Sequence, residues 1–78
     1  MKEHKVIVYT TPICSWCHKT IEFLKQHNIK FKDVDVSKDY NAAMEMIRKS
    51  GQQGVPVIEI DGNIIVGFDE LELRKLLK

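Results

Sequence analysis

Charge of one sign is the first thing this sequence lacks. Twelve Lys and Arg stand against eleven Asp and Glu in 78 residues, for a formal charge of +1. Without a basic excess, neither nucleic acid nor an anionic membrane is expected as the main partner. Long apolar runs are missing as well, and nothing approaches the roughly 20 residues a spanning helix needs. Behind the charged start Met1-Lys2-Glu3-His4-Lys5, the apolar stretch Val6-Ile7-Val8-Tyr9 is too short for the core of a secretory leader. No internal repeat, low-complexity segment or linker interrupts the chain. At 44% hydrophobic and 29% charged it has the balance of a globular protein rather than a disordered one. The expectation is one soluble, cytoplasmic domain over residues 1–78, near the lower size limit for a self-supporting core.

Cysteine is scarce too: Cys14 and Cys17 are the two in the sequence. Loop entropy credits a bridge over so short a span with at most about 2 kcal/mol, before strain is subtracted. A structural staple would join distant segments, so the pair is poorly placed for that purpose. In a reducing cytosol, two close cysteines point to redox chemistry or to a metal.

The apolar pattern places the pair. Lys5 to Thr10 is bulky throughout, as in a central strand covered on both faces. After the break Thr11-Pro12-Ile13, a helix is expected from Cys14 or Ser15 to about His27. Cys17, Ile21 and Leu24 lie on one of its faces, and Asn28 is a plausible stop. Phe31 to Val36 alternates as a half-exposed strand. Ser37 or Asp39 caps a second helix to Ser50, with Tyr40, Ala43, Met44 and Ile47 as its apolar stripe and Gly51 as its end. Val57-Ile58-Glu59-Ile60 and Ile64-Ile65-Val66 form a hairpin around Asp61-Gly62-Asn63. Asp69 and Glu72 resemble a capping box for a last helix carrying Leu71, Leu73, Leu76 and Leu77. The order is β-α-β-α-β-β-α. Its first unit is parallel, its hairpin is antiparallel, and together they imply a mixed four-stranded α/β sheet with helices on both faces.

In that frame Cys14 stands at the junction of loop and helix, where free N–H groups and the helix dipole favour a thiolate. Cys17, one turn in on the apolar face, should be shielded. The asymmetry describes an exposed attacker and a buried resolver. A fall in the Cys14 pKa from about 8.5 to about 7 raises the ionised fraction at pH 7 from about 3% to about half. Lower basicity returns part of that gain, leaving about threefold. Trp16 either offers a flat surface to a substrate or packs partly on the helix. His18 and Lys19 add positive potential or form a solvated face. Pro56 suits only a strand start or edge. A cis Val55-Pro56 bond would turn the backbone towards the cysteines and leave amides free for an extended peptide.

Three stretches taken together resemble the glutaredoxin family: Tyr9-Thr10-Thr11-Pro12-Ile13-Cys14-Ser15-Trp16-Cys17, Gly51-Gln52-Gln53-Gly54-Val55-Pro56-Val57 and Gly67-Phe68-Asp69. The resemblance spans nearly the whole chain and implies a thioredoxin-like fold with a cis Val55-Pro56 facing Cys14. It implies thiol-disulfide exchange with Cys14 as nucleophile and Cys17 as resolving thiol. Val55 inherits backbone bonds to glutathione, and Asp69 inherits contact with the γ-glutamyl end in competition with capping. With Thr11, Trp16, Gln53, Pro56, Gly67 and Phe68, these make up the expected binding set for glutathione or a peptide. No tightly bound cofactor is implied, with glutathione as co-substrate, a disulfide-bearing protein as substrate, and a monomer as the working form.

Departures from the family pattern bear on the electron donor. Thr11 replaces a customary Lys, Phe68 the second Gly of a Gly-Gly pair, and Ser15-Trp16 the usual Pro-Tyr. Gly67-Phe68 and Pro12 are closer to glutaredoxin-like redoxins that reduce ribonucleotide reductase and are recharged by thioredoxin reductase. A 2Fe-2S cluster shared between two subunits with glutathione is the alternative that Ser15 permits. Haem attachment at Cys14-Ser15-Trp16-Cys17-His18 would require export. A metal site would need partners that His4, His18 and His27 do not offer at convincing spacing. A purely structural domain would leave the pair without reductase activity.

Overall fold

Seven elements follow one another: β1 (Val6–Thr10), α1 (Ser15–Gln26), β2 (Lys32–Asp35), α2 (Tyr40–Ser50), β3 (Val57–Ile60), β4 (Asn63–Val66) and α3 (Glu70–Leu76). They belong to a computed structural model that describes residues 4–77. Met1, Lys2 and Glu3, which entered the reading of the leader, lie outside the described residues, as does Lys78. The strands form one sheet in the order β2-β1-β3-β4. β1 runs parallel to β2 and antiparallel to β3, and β3 is antiparallel to β4. This is the expected element order and mixed sheet, with β1 inside it.

The alternation along each strand divides the core. Val6 and Val8 of β1, with Ile58, Ile60 and Ile65, pack on Phe23 and Leu24 of α1 and Leu73 of α3. Tyr9 and Val57 face the other way onto Met46 of α2, joined by the half-buried Ile7, Val34 and Ile64. No helix among the described residues is long and apolar enough to cross a membrane.

Helix ends explain the boundaries. α1 stops as expected at Asn28, which takes φ 56. The Asn28 N–H donates to the Lys25 carbonyl at 3.1 Å and the Ile29 N–H to the Leu24 carbonyl at 2.9 Å, the paired bonds of a Schellman ending. Asp39, not Ser37, caps α2, its carboxylate accepting the Ala42 N–H at 3.0 Å.

Three expectations need correction. Asn63 belongs to the ladder opposite Ile60. The turn is the two residues Asp61 and Gly62 at φ 50 and 89, the primed geometry that matches strand twist. Phe31 and Val36 lie outside β2, although the Val36 N–H still donates to the Thr10 carbonyl at 3.0 Å and both side chains pack against the core. On α2, Tyr40 and Met44 are exposed and Met46 is buried. Two overlapping stripes share Ala43 and Ile47, and the helix turns the one centred on Met46 to the sheet. The last helix carries its leucines as expected, with Leu71 80% exposed and Leu73 buried, since residues two apart on a helix cannot share a face.

Candidate active site

β1 ends at Thr10, and the chain turns through Thr11-Pro12-Ile13 with the Cys14 N–H donating to the Thr11 carbonyl at 3.3 Å. Cys14 is the N-cap of α1, with extended backbone at φ −91 and ψ 108. Its carbonyl accepts the His18 N–H at 3.2 Å, and its Sγ accepts the Cys17 N–H at 3.1 Å. A sulfur thus takes the place where a Ser or Asp oxygen ordinarily satisfies a free helix donor. Aligned peptide dipoles there favour negative charge on it. Cys17 is 0% exposed and Cys14 half-buried. The two are joined as a disulfide with their Cα atoms 5.2 Å apart, so the structure is that of the oxidised protein.

Trp16, 57% exposed, is neither free nor packed into the core. One face of its indole stacks on Phe68, and Lys19 Nζ lies 5.1 Å from the ring centroid. Phe68 in turn meets Phe23 of α1 edge-on at 5.9 Å. Ile13, just before Cys14, is 93% exposed. The fully buried Thr20 donates from Oγ1 to the Trp16 carbonyl at 2.9 Å, tying the first turn of α1 to the next.

The Val55–Pro56 peptide bond is cis, and Pro56 is buried. Its carbonyl accepts the Gly67 N–H at 2.9 Å. Gly67 has φ 82, in the left-handed region that favours glycine. This bond anchors the β4–α3 connection to the Pro56 segment and brings Phe68 to Trp16. Asp69 accepts the Glu72 N–H at 3.2 Å as the cap of α3. Thr11 is half-buried, with its carbonyl engaged in the turn before Cys14. The structure therefore ties Thr11 to the Cys pair, Trp16 to Phe68, and Gly67 to Pro56. Gln53 is exposed and holds none of these links.

The residue missed from sequence is Gln52, whose side-chain amide bonds both backbone groups of Gly54. Two adjacent glutamines between two glycines look alike in sequence, and only the direction of the chain separates them. In the sequence Lys19 stands out for its charge, whereas its contact with Trp16 follows from their spacing of three on a helix. Among the described residues no group of three or more His, Cys, Asp or Glu converges as a metal site.

Comparisons with known proteins agree with this geometry. Residues 6–65 match a protein-family model described as Glutaredoxin. The chain is 55% identical over 71 residues to an uncharacterized glutaredoxin-like 8.6 kDa protein of the rubredoxin operon of Clostridium pasteurianum, covering 91% of this chain and 95% of that one. It is 33% identical over 66 residues to Glutaredoxin 3 of Escherichia coli K12, covering 85% and 80%. Among solved structures, the thioredoxin-like protein BC3987 superposes with a TM-score of 0.87 at 35% identity, over 92% of this chain and 99% of that one. The element order and mixed sheet are those of the thioredoxin-like fold.

Proposed function

Because the chain belongs to the glutaredoxin family, we propose that it is a cytoplasmic dithiol oxidoreductase in which Cys14 attacks a substrate disulfide and Cys17 resolves the product. The observation that carries this reading is the sulfur cap: Cys14 Sγ receives a helix N–H while Cys17 is sealed one turn behind it. The cysteine pair of a glutaredoxin-family protein is consistent with thiol-disulfide exchange.

In the reaction, the Cys14 thiolate attacks one sulfur of the substrate disulfide. The substrate bond breaks, a mixed disulfide forms, and the other substrate sulfur leaves as a thiolate that takes up a proton. The Cys17 thiol then gives up its proton and attacks Cys14 Sγ, expelling the second substrate thiolate. The protein is left oxidised by two electrons, with the Cys14–Cys17 bond of the present structure. The amide that caps the sulfur stabilises charge at Cys14 as it attacks, and again when the electron donor releases it as a thiolate.

Two electrons must return from a separate donor, glutathione or thioredoxin reductase. Phe68, stacked on Trp16, fills surface that glycine would leave open to a tripeptide backbone, and Thr11 brings no charge to a glutathione carboxylate. Both favour a protein reductant of the thioredoxin reductase kind. The test is to incubate the oxidised protein with glutathione and its reductase, and separately with thioredoxin reductase, following NADPH consumption. Faster consumption with thioredoxin reductase is expected. Preference for glutathione would overturn the donor assignment, and no consumption in either would overturn the reaction.

A further inference from the structure

Gln52 and Gly54 form a closed hydrogen-bonded ring. Gln52 Nε2 donates to the Gly54 carbonyl at 2.8 Å, and the Gly54 N–H donates to Gln52 Oε1 at 3.0 Å. One side-chain amide thus satisfies both backbone groups of residue 54, as a neighbouring strand would. The base of this clamp is itself tied to the end of α2. Ser50 Oγ lies 2.7 Å from the Met46 carbonyl and 3.0 Å from that of Gln52, and it accepts the Gln52 N–H at 3.3 Å. The fit is close. A Cβ added to Gly54 would come within 2.9 Å of Gln52 Oε1. Gly54 is not among the left-handed glycines, so a Cβ there would meet no left-handed φ and would instead push the Gln52 amide out of its ring.

The clamp ends where Val55 begins. Among the described residues, neither the N–H nor the C=O of Val55 has a hydrogen-bond partner. We propose that Gln52 is a positioning residue for polypeptide substrates. By occupying the backbone groups of Gly54, it holds residues 52–55 in one arrangement and presents the Val55 backbone to an extended chain on either side of a disulfide. This rests on the oxidoreductase reading above. Ordering the segment in advance removes an ordering cost from binding. It should therefore act on substrates with a peptide backbone and leave small disulfides untouched, since these have no peptide N–H and C=O in strand spacing to pair with Val55.

Reduced protein is mixed with excess insulin or excess bis(2-hydroxyethyl) disulfide, and oxidation of the cysteine pair is followed in a single turnover. For Gln52→Ala, the half-saturating insulin concentration should rise about fivefold, as expected for one hydrogen bond's net worth, with the limiting rate unchanged. The rate with the small disulfide should not change. Gly54→Ala should reproduce the rise alone and add nothing in the Gln52→Ala background, where the atom it would strike is gone. An unchanged insulin half-saturation, equal slowing with both disulfides, or additive effects in the double variant would overturn the proposal. Amide exchange at Gly54 in the oxidised protein reads the clamp without any activity and should quicken about fivefold in Gln52→Ala. If it does not, there is no clamp in solution. A wild type inert to both disulfides would instead overturn the oxidoreductase reading.

Discussion

The indole of Trp16 and the ring of Phe68 stack with centroids 6.1 Å apart and planes 25° from parallel. One of the two residues between the cysteines is thereby joined to the one before the cap of α3. Neither position is adjacent to the other in sequence, and the bond from Gly67 N–H to the Pro56 carbonyl brings them together. The surface beside Cys14 is accordingly an aromatic plate held from two elements, with Lys19 on one ring and Phe23 against the other.

Removing the second ring should reopen the groove. Aromatic pairs contribute about 0.5–1.5 kcal/mol beyond their area, so Phe68→Gly is expected to shift donor choice without unfolding the chain. Glutathione-dependent kcat/KM should rise at least about threefold, and turnover with thioredoxin reductase should fall. A variant with the same donor preference as the wild type would separate Phe68 from specificity.

Charge is the other missing element. Thr11→Lys places an ammonium on the turn that precedes Cys14. If absence of that charge limits glutathione binding, its KM should fall up to about fivefold while kcat holds, since an exposed ion pair is worth about 0.2–1 kcal/mol. No change in KM would show that the glutathione site has been lost by more than one position.

The roles of the sulfurs separate on substitution. Cys14→Ser should abolish turnover. Cys17→Ser should accumulate a mixed disulfide between Cys14 and a protein substrate, visible as a mass increase that dithiothreitol reverses. Full dithiol turnover by the Cys17→Ser protein would contradict its resolving role. In the reduced wild type, substoichiometric iodoacetamide should modify the half-buried Cys14 and spare the enclosed Cys17.

Much of this was legible in the sequence, and the exceptions share a cause. Strand β1, the ending at Asn28, the Asp69 cap and the junction at Cys14 all depend on neighbours within a few residues, which sequence displays. The stripe of α2 does not. Tyr40-Ala43-Met44-Ile47 and the stripe through Met46 are equally apolar, and only the sheet beneath decides between them. The same holds for Gln52 against Gln53, and for the Trp16–Phe68 stack, which closes through Pro56 and Gly67. Tertiary closure selects among local patterns that are each self-consistent.

α3 offers a direct check of helical phase. Leu73 is fully buried against the sheet and Leu71 is 80% exposed. Leu73→Ala should lower unfolding stability by about 2–5 kcal/mol through lost contact and the cavity left behind. Leu71→Ala should remain within about 0.5 kcal/mol of the wild type. Urea midpoints measure both, and equal losses would mean that the helix presents a different face.

The hairpin turn carries a pH dependence of definite sign. Asp61 Oδ2 lies 2.6 Å from His4 Nδ1, and Oδ1 accepts the Lys5 N–H at 2.8 Å. The His4 bond first, and the Lys5 amide second, hold the Asp61 carboxyl below its ordinary range. A carboxyl whose pKa falls on folding adds stability that is complete above its unfolded value, about 3.9, and vanishes as pH drops through the lower folded value. Asp61→Asn keeps the turn, since Asn tolerates positive φ and Asn-Gly favours this geometry. It still offers an oxygen to the Lys5 amide but has nothing to titrate. Urea midpoints from about pH 7 to about pH 2 should therefore show the wild type ahead by a steady margin down to about pH 4, then falling more steeply until the curves meet. Curves that stay parallel throughout would mean that the carboxyl titrates alike in the folded and unfolded chains, and that its bonds to His4 and Lys5 do not hold in solution.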